Sequence, residues 1–321
     1  MSSSSFALLR LPLVALREII EKTELYEQCK LSLCSKRMYH IVKHFRGKST
    51  MSLKVYSIKD YTKVSLFSQK CSGDEVTFRV RAKGDIYCWE TNNIEKLQSR
   101  FKETERLFSC ENTIEGTKFL VEFLCDLFAV KIKKVEVVDN NIWMLDFVEE
   151  RQGAFSYDAE VWNSYNGTDE QLRHILLDLN PRSLQISHEA SNQFRIENFH
   201  KKYENLTIYG GTWVTVEILC QLDCVKIEIP YKYFSDAEIN RYLKHVLRGG
   251  APRLRKFRAE IQRPAGNVIM DGIQELLTGM EQGEDEDGNW MLKGTVAREE
   301  GLMVVSITYS SVFVYLEIKE T

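Results

Sequence analysis

Eight cysteines, six histidines and one dense acidic stretch are the residues of this 321-residue chain that could do chemistry. The cysteines are scattered. Cys220 and Cys224 form the closest regular pair, and neither a second such pair nor a histidine pair follows at zinc-site spacing. Cys125, within FLCDLF, reads as a small buried hydrophobe, and cysteine usage of this kind fits a reducing setting, cytoplasm or nucleus. The histidines are dispersed, and none stands with a Cys or Ser in a nucleophile context. The acidic stretch GMEQGEDEDGN could offer carboxylates to calcium. With Asp287-Gly288 at positions five and six of a calcium loop, Gly283 falls at position one and Gly294 at position twelve, so two essential carboxylates are missing. HExxH, GxSxG, the P-loop pattern and GxGxxG are all lacking, and Tyr209-Gly210-Gly211-Thr212 reads as a turn. The expectation is a protein that is not an enzyme, with no catalytic residue, no metal and no cofactor, acting by binding.

Composition sets which partners are plausible. The chain is 44% hydrophobic and 28% charged, with formal net charge −3. That balance supplies no basic field for nucleic acid. No apolar run approaches the roughly 18 residues of a membrane span. The start, MSSSSFALLRLPLVAL, lacks a basic n-region, and Arg10 and Pro12 break its apolar stretch. Asn166-Gly-Thr168 and Asn205-Leu-Thr207 are formal glycosylation triplets that carry no meaning without a secretory signal.

The residues best suited to binding lie in the first 46. Leu11-Pro12 opens LPLVALREII, where Pro12 suits a first helical turn and Leu13, Leu16 and Ile20 recur at helical spacing beside Ile19. Thr23 is expected to cap a second helix from about Glu24 to Leu33, with Tyr26, Cys29 and Leu33 on one side. Ser35 is expected to cap a third, carrying Tyr39, Val42 and Phe45 on one stripe and the basic residues Lys36, Arg37, Lys43, Arg46 and Lys48. Three short helices bury too little to stand alone, so this segment calls for a partner.

These residues resemble an F-box. That pattern begins with Leu-Pro, as at Leu11-Pro12, continues with apolar positions matched by Leu16 and Ile19, and reaches a Ser-Lys pair matched by Ser35-Lys36. Cys34 stands where Val is usual and Met38 where Trp is usual, and EQCKLSLCSKR is similar to the stretch found in the expanded nematode F-box families. The resemblance implies docking on a Skp-type adaptor of a cullin ubiquitin ligase. It points to Leu11, Pro12, Leu16, Ile19, Ile20, Leu33, Ser35 and Lys36 as adaptor-binding residues.

Beyond the helical start, strand and helix signals alternate. SLKVYSI, EVTFRVRA and DIYCWE read as strands, TKFLVEFLCDLF as a helix and KKVEVV as a strand. DEQLRHILLDL reads as a helix before the strand PRSLQIS. ENLTIYG, VKIEIP and LRKFRAEI are strands separated by the helices WVTVEILCQL and SDAEINRYLKHVL, the latter capped by Ser235 and ended by Gly249-Gly250. Strands joined by such helices run parallel. Three strands, NWMLKGTVAR, GLMVVSITY and SVFVYLEIK, form an antiparallel meander at the end, with the acidic stretch as a loop before them.

A second resemblance lies at residues 205–261. Leu206, Trp213, Leu222-Asp223-Cys224, the helix segment Asn240 to His245 and the turn Gly249 to Leu254 look like the F-box-associated (type 2) region of the same nematode families. Trp213 and His245 themselves read as structural, one in the core and one at a helix C-terminus. The expected fold class is α/β: a three-helix F-box, then an irregular leucine-rich-like β-α repeat domain ending in an antiparallel meander. The expected domains are 1–48, the F-box, and 49–321, a substrate-binding region that folds independently of it. The resemblance implies a substrate receptor with an adaptor, a cullin complex and an unknown protein substrate as partners, in cytoplasm or nucleus, and no nucleic acid or membrane. A solenoid-like interaction scaffold without a ligase role is the other reading.

Overall fold

A computed structural model describes residues 8–46, 51–58, 61–68, 75–82, 105–139, 141–163, 167–262, 266–298 and 301–320. The chain divides into two compact units, Met1–Val135 and Glu136–Thr321.

The first unit opens with three ten-residue helices, α1 (Leu13–Lys22), α2 (Leu25–Cys34) and α3 (Lys36–Phe45). Leu16 and Ile20 of α1, Cys29 of α2, and Met38 and Val42 of α3 are buried, as the helical stripes require. Ser35 caps α3, its hydroxyl accepting the Met38 N–H at 3.2 Å. Thr23 does not cap α2: its hydroxyl donates to the Ile19 carbonyl at 2.6 Å and closes α1. Buried Gln28 takes over the joint, its amide donating to the carbonyls of Ile20 at 3.0 Å and Thr23 at 2.9 Å. The glutamine thereby satisfies the orphaned end of α1.

Strands β1 (Met51–Ile58), β2 (Tyr61–Ser68) and β3 (Glu75–Ala82) follow as an antiparallel meander, and β4 (Glu105–Cys110) lies parallel to β3. The β2 strand carries alternation in TKVSLF that the sequence reading passed over. The DIYCWE segment expected as a strand lies outside the described residues. A helix, Thr113–Phe128, is capped by Asn112, whose side chain accepts the N–H groups of Ile114 and Glu115. It buries Leu120, Val121, Leu124 and Phe128.

Strand β5 (Ile132–Val138) carries the chain from the first unit into the second. There β6 (Asp158–Asn163), β7 (Ser183–His188), β8 (Lys202–Tyr209), β9 (Asp223–Phe234) and β10 (Lys256–Ile261) pair in parallel, each with the next. The expected parallel series is thus present. Helices Trp143–Gln152, Asp169–Leu177, Val216–Leu219 and Asp236–Leu247 lie along the connections. Two of them carry full capping boxes, Thr168 with Gln171 and Ser235 with Glu238. Tyr157, Tyr203, Tyr242, Phe194, Phe199, Phe234 and Phe257 fill the core of this unit.

Two elements differ from those expected. The segment from Trp213 is helical only over Val216–Leu219, because Thr215 caps it late and β9 begins at Asp223. Trp213 precedes the helix and packs edge-on against Phe194 and Phe199. The acidic stretch is a loop only over residues 285–289: β11 (Thr278–Glu284) pairs antiparallel with β12 (Trp290–Arg298), and Asp285 closes the turn by accepting the N–H groups of Asp287 and Asn289. The closing meander therefore has four strands, with β13 (Gly301–Tyr309) and β14 (Phe313–Glu320). β14 pairs antiparallel with β10, which joins the meander to the parallel series.

Candidate functional site

The outer surface of the helical segment is its unusual part. In α1, positions 16 and 20 point inward and use up the apolar stripe. Its first turn is open: Leu13 and Val14 stand 67% and 76% exposed behind exposed Pro12. Ile19 and Leu33 add further exposed apolar surface, at 36% and 59%. Branched aliphatic side chains exposed to this degree gain free energy when a partner covers them.

Of the eight positions named from the sequence, Pro12, Ile19, Leu33, Ser35 and Lys36 are exposed and Leu11 is half-buried. Leu16 and Ile20 are buried at 2% and 0% and sit in the segment's own core. Ser35 has a structural duty as the α3 cap. Leu13 and Val14 were absent from the set. The signal that could have found them is their place in the first turn, where apolar side chains have few neighbours.

The other side of the segment is anchored within the first unit. Tyr39 and Lys43 of α3 both reach the Asp126 carboxylate, the lysine at 2.5 Å. Arg46 donates from Nη1 to the carbonyls of Asp126, at 3.0 Å, and Leu127. A guanidinium on the last carbonyls of the Thr113–Phe128 helix suits the negative end of its dipole. Lys43 and Tyr39 hold the Asp126 carboxyl below the ordinary carboxylate range through their hydrogen bonds.

Four thiols among the described residues are held away from the thiolate form. Burial pushes Cys29 and Cys224 up to about 12, and raises Cys110 and Cys220 as well. Among the described residues no group of His, Cys, Asp and Glu is placed to hold a metal ion. Among the same residues no helix is long and apolar enough to cross a membrane.

In the second unit the residues of the second resemblance are dispersed by role. Leu206, Trp213, Leu222 and Cys224 are core. Asn240 ties down the chain after β10, its amide donating to the carbonyls of Ile269 at 2.7 Å and Asp271 at 2.8 Å. Gly249 has φ +87° and ends the Asp236–Leu247 helix, with the Gly250 N–H bonded to the His245 carbonyl at 2.9 Å.

Comparison with known families gives two matches. Residues 8–50 match the family described as F-box domain, and residues 176–259 match the one described as F-box associated. No curated protein and no solved structure matches the chain. An F-box domain at the N-terminus is thus followed by an F-box-associated region.

Proposed function

We propose that this chain is the substrate-recognition subunit of an SCF-type cullin ubiquitin ligase. The observation that carries the reading is the pairing of an F-box match with exposed Pro12, Leu13, Val14 and Ile19 on that same segment. The F-box would dock on a Skp-type adaptor through this apolar turn, with Leu33 and Lys36 beside it. Leu16 and Ile20 would shape the surface from beneath without touching the partner. The functional division is 1–48 for docking and 49–321 for capture. Catalysis belongs to the partners: the chain holds a protein substrate near the transfer machinery and so raises its local concentration. Neither nucleic acid nor membrane enters this reading, and it places the protein in cytoplasm or nucleus.

A scaffold without a ligase role is the second reading. What favours it is the anchoring of α3 on the Thr113–Phe128 helix through Asp126, which is what a capping segment would do. Purification of the intact chain with recombinant Skp-type adaptors separates the two. Retention of an adaptor by the wild type and its loss in Leu13→Asp support the receptor. No retention by any adaptor paralogue supports the scaffold.

A further inference from the structure

The Asp236–Leu247 helix turns its apolar side, Ile239, Tyr242, Leu243 and Val246, into the core. Its other side repeats a different chemistry at helical spacing: Arg241, Lys244, His245 and, one residue past the helix end, Arg248. These four line a cavity of about 480 Å³, bounded by Cys220 at the end of the preceding short helix. A chain of net charge −3 has gathered three permanent cations and an imidazole in one concavity.

The counter-charges do not fill it. Glu217 meets Arg241 at 2.7 Å and Asp271 meets Lys244 at 3.7 Å, but both carboxylates are mostly exposed, at 61% and 82%. Among the described residues no carboxylate pairs with Arg248. His245 Nε2 is shut off from solvent and has no hydrogen-bond partner. Its ring lies across Gly250, where a Cβ would fall 2.1 Å from the imidazole, so glycine alone leaves the ring its place in the wall. Three cations in one concavity, one of them without a carboxylate partner, favour a ligand rich in oxygen acceptors. The arginines add forked donors that match carboxylate and phosphoryl oxygens.

We infer that this cavity is an anion site that takes an acidic segment of a protein, seating carboxylate or phosphoryl oxygens against Arg241, Lys244 and Arg248. The inference rests on the proposed function only in naming a protein as the source of the anion. A carboxylate side chain and a phosphorylated one share the required chemistry.

The test uses the full chain and three fluorescein-labelled probes: hexaglutamate, hexaglutamine, and a Gly-Ser peptide bearing one phosphoserine. Anisotropy should show hexaglutamate or the phosphoserine peptide binding and hexaglutamine not binding; the stronger of the two anions identifies the source. Arg248→Glu should weaken the anionic probe about fivefold or more, since an exposed partner is replaced by a repulsive one. Lys293→Glu makes the same change in net charge at an exposed position on β12 and should shift binding less than about twofold. Melting temperature checks that Arg248→Glu remains folded. Failure of both anionic probes to exceed hexaglutamine would overturn the inference, as would equal weakening by the two substitutions. Adaptor retention is measured separately, so loss of the receptor reading leaves this result standing and the reverse also holds.

Discussion

Arg46 donates from Nη1 to the main-chain carbonyl of Asp126 at 3.0 Å, while the side chain of the same Asp126 receives Lys43 and Tyr39. One residue at the end of the Thr113–Phe128 helix thus anchors two positions of α3 and the residue that follows it. Leu13 and Val14 of the same helical segment stay open. The anchoring residues and the exposed apolar residues are therefore separable by substitution.

Asp126→Asn should lower stability modestly and leave adaptor capture unchanged. The carboxylate is about half exposed, so the loss is on the order of 0.5–1 kcal/mol, as for exposed ion pairs. Lys43 first and Tyr39 second hold its folded pKa below the ordinary 3.8. A depressed carboxyl contributes above its unfolded pKa and ceases to contribute as pH falls through its folded one. Urea melts from pH 7 to pH 3 should show the gap between wild type and variant closing at the acid end.

Leu16→Ala and Leu13→Ala should part company. Leu16 is buried in the helical core, so its truncation costs about 2–4 kcal/mol of stability through lost burial and the cavity left behind. Leu13 is exposed, and its truncation should leave the melting temperature within a degree or two while weakening adaptor binding by on the order of 2 kcal/mol, as an interface hot spot would. Equal loss of stability from both would place Leu13 in the core and remove the docking surface.

His174 gives the second unit a pH response of opposite sign. Burial pulls its pKa down, but hydrogen bonds to Asp178 and Asp146 outweigh this and raise it above the ordinary 6.5. A raised histidine stabilises fully below its unfolded pKa and ceases to do so as pH rises through its folded one. The stability difference between wild type and His174→Gln should therefore be largest near pH 6 and shrink toward pH 8. A difference that is constant across that range would show that the imidazole is held neutral.

Thiol reactivity tests the effect of burial on the described cysteines. Cys29 and Cys224, pushed up to about 12 by burial, should resist iodoacetamide at pH 8 in the folded chain. Cys34 is exposed and should be the first labelled among the six cysteines within the described residues, as read by peptide mass spectrometry. Rapid labelling of Cys224 would reveal an opening of the β8–β9 core.

The sequence by itself determined the elements whose signals are local. Pro12 and Ser35 mark helix starts, Ser235 with Glu238 forms a capping box, and Gly249 ends a helix at φ +87°; each effect acts within a few residues and is readable as spelling. The parallel series followed because strands joined by helices have no other short route. Helix Trp143–Gln152 escaped because WMLDFVEERQ has little one-sided apolarity, although Met144, Leu145 and Val148 are buried. Strand β11 escaped because TGMEQGE is exposed at every position and is held by pairing with β12, a contact set by residues about ten positions away. Leu11, Pro12, Leu16, Ile19 and Ile20 all lie near one apolar run, and periodicity alone could not say which of them face outward. Tertiary structure decided that, because burial depends on what packs against each side chain: Leu16 and Ile20 are enclosed, while Pro12, Leu13, Val14 and Ile19 stay exposed. Helical spacing already put Arg241, Lys244, His245 and Arg248 on one side of their helix, and tertiary structure added the cavity by bringing Cys220 against them.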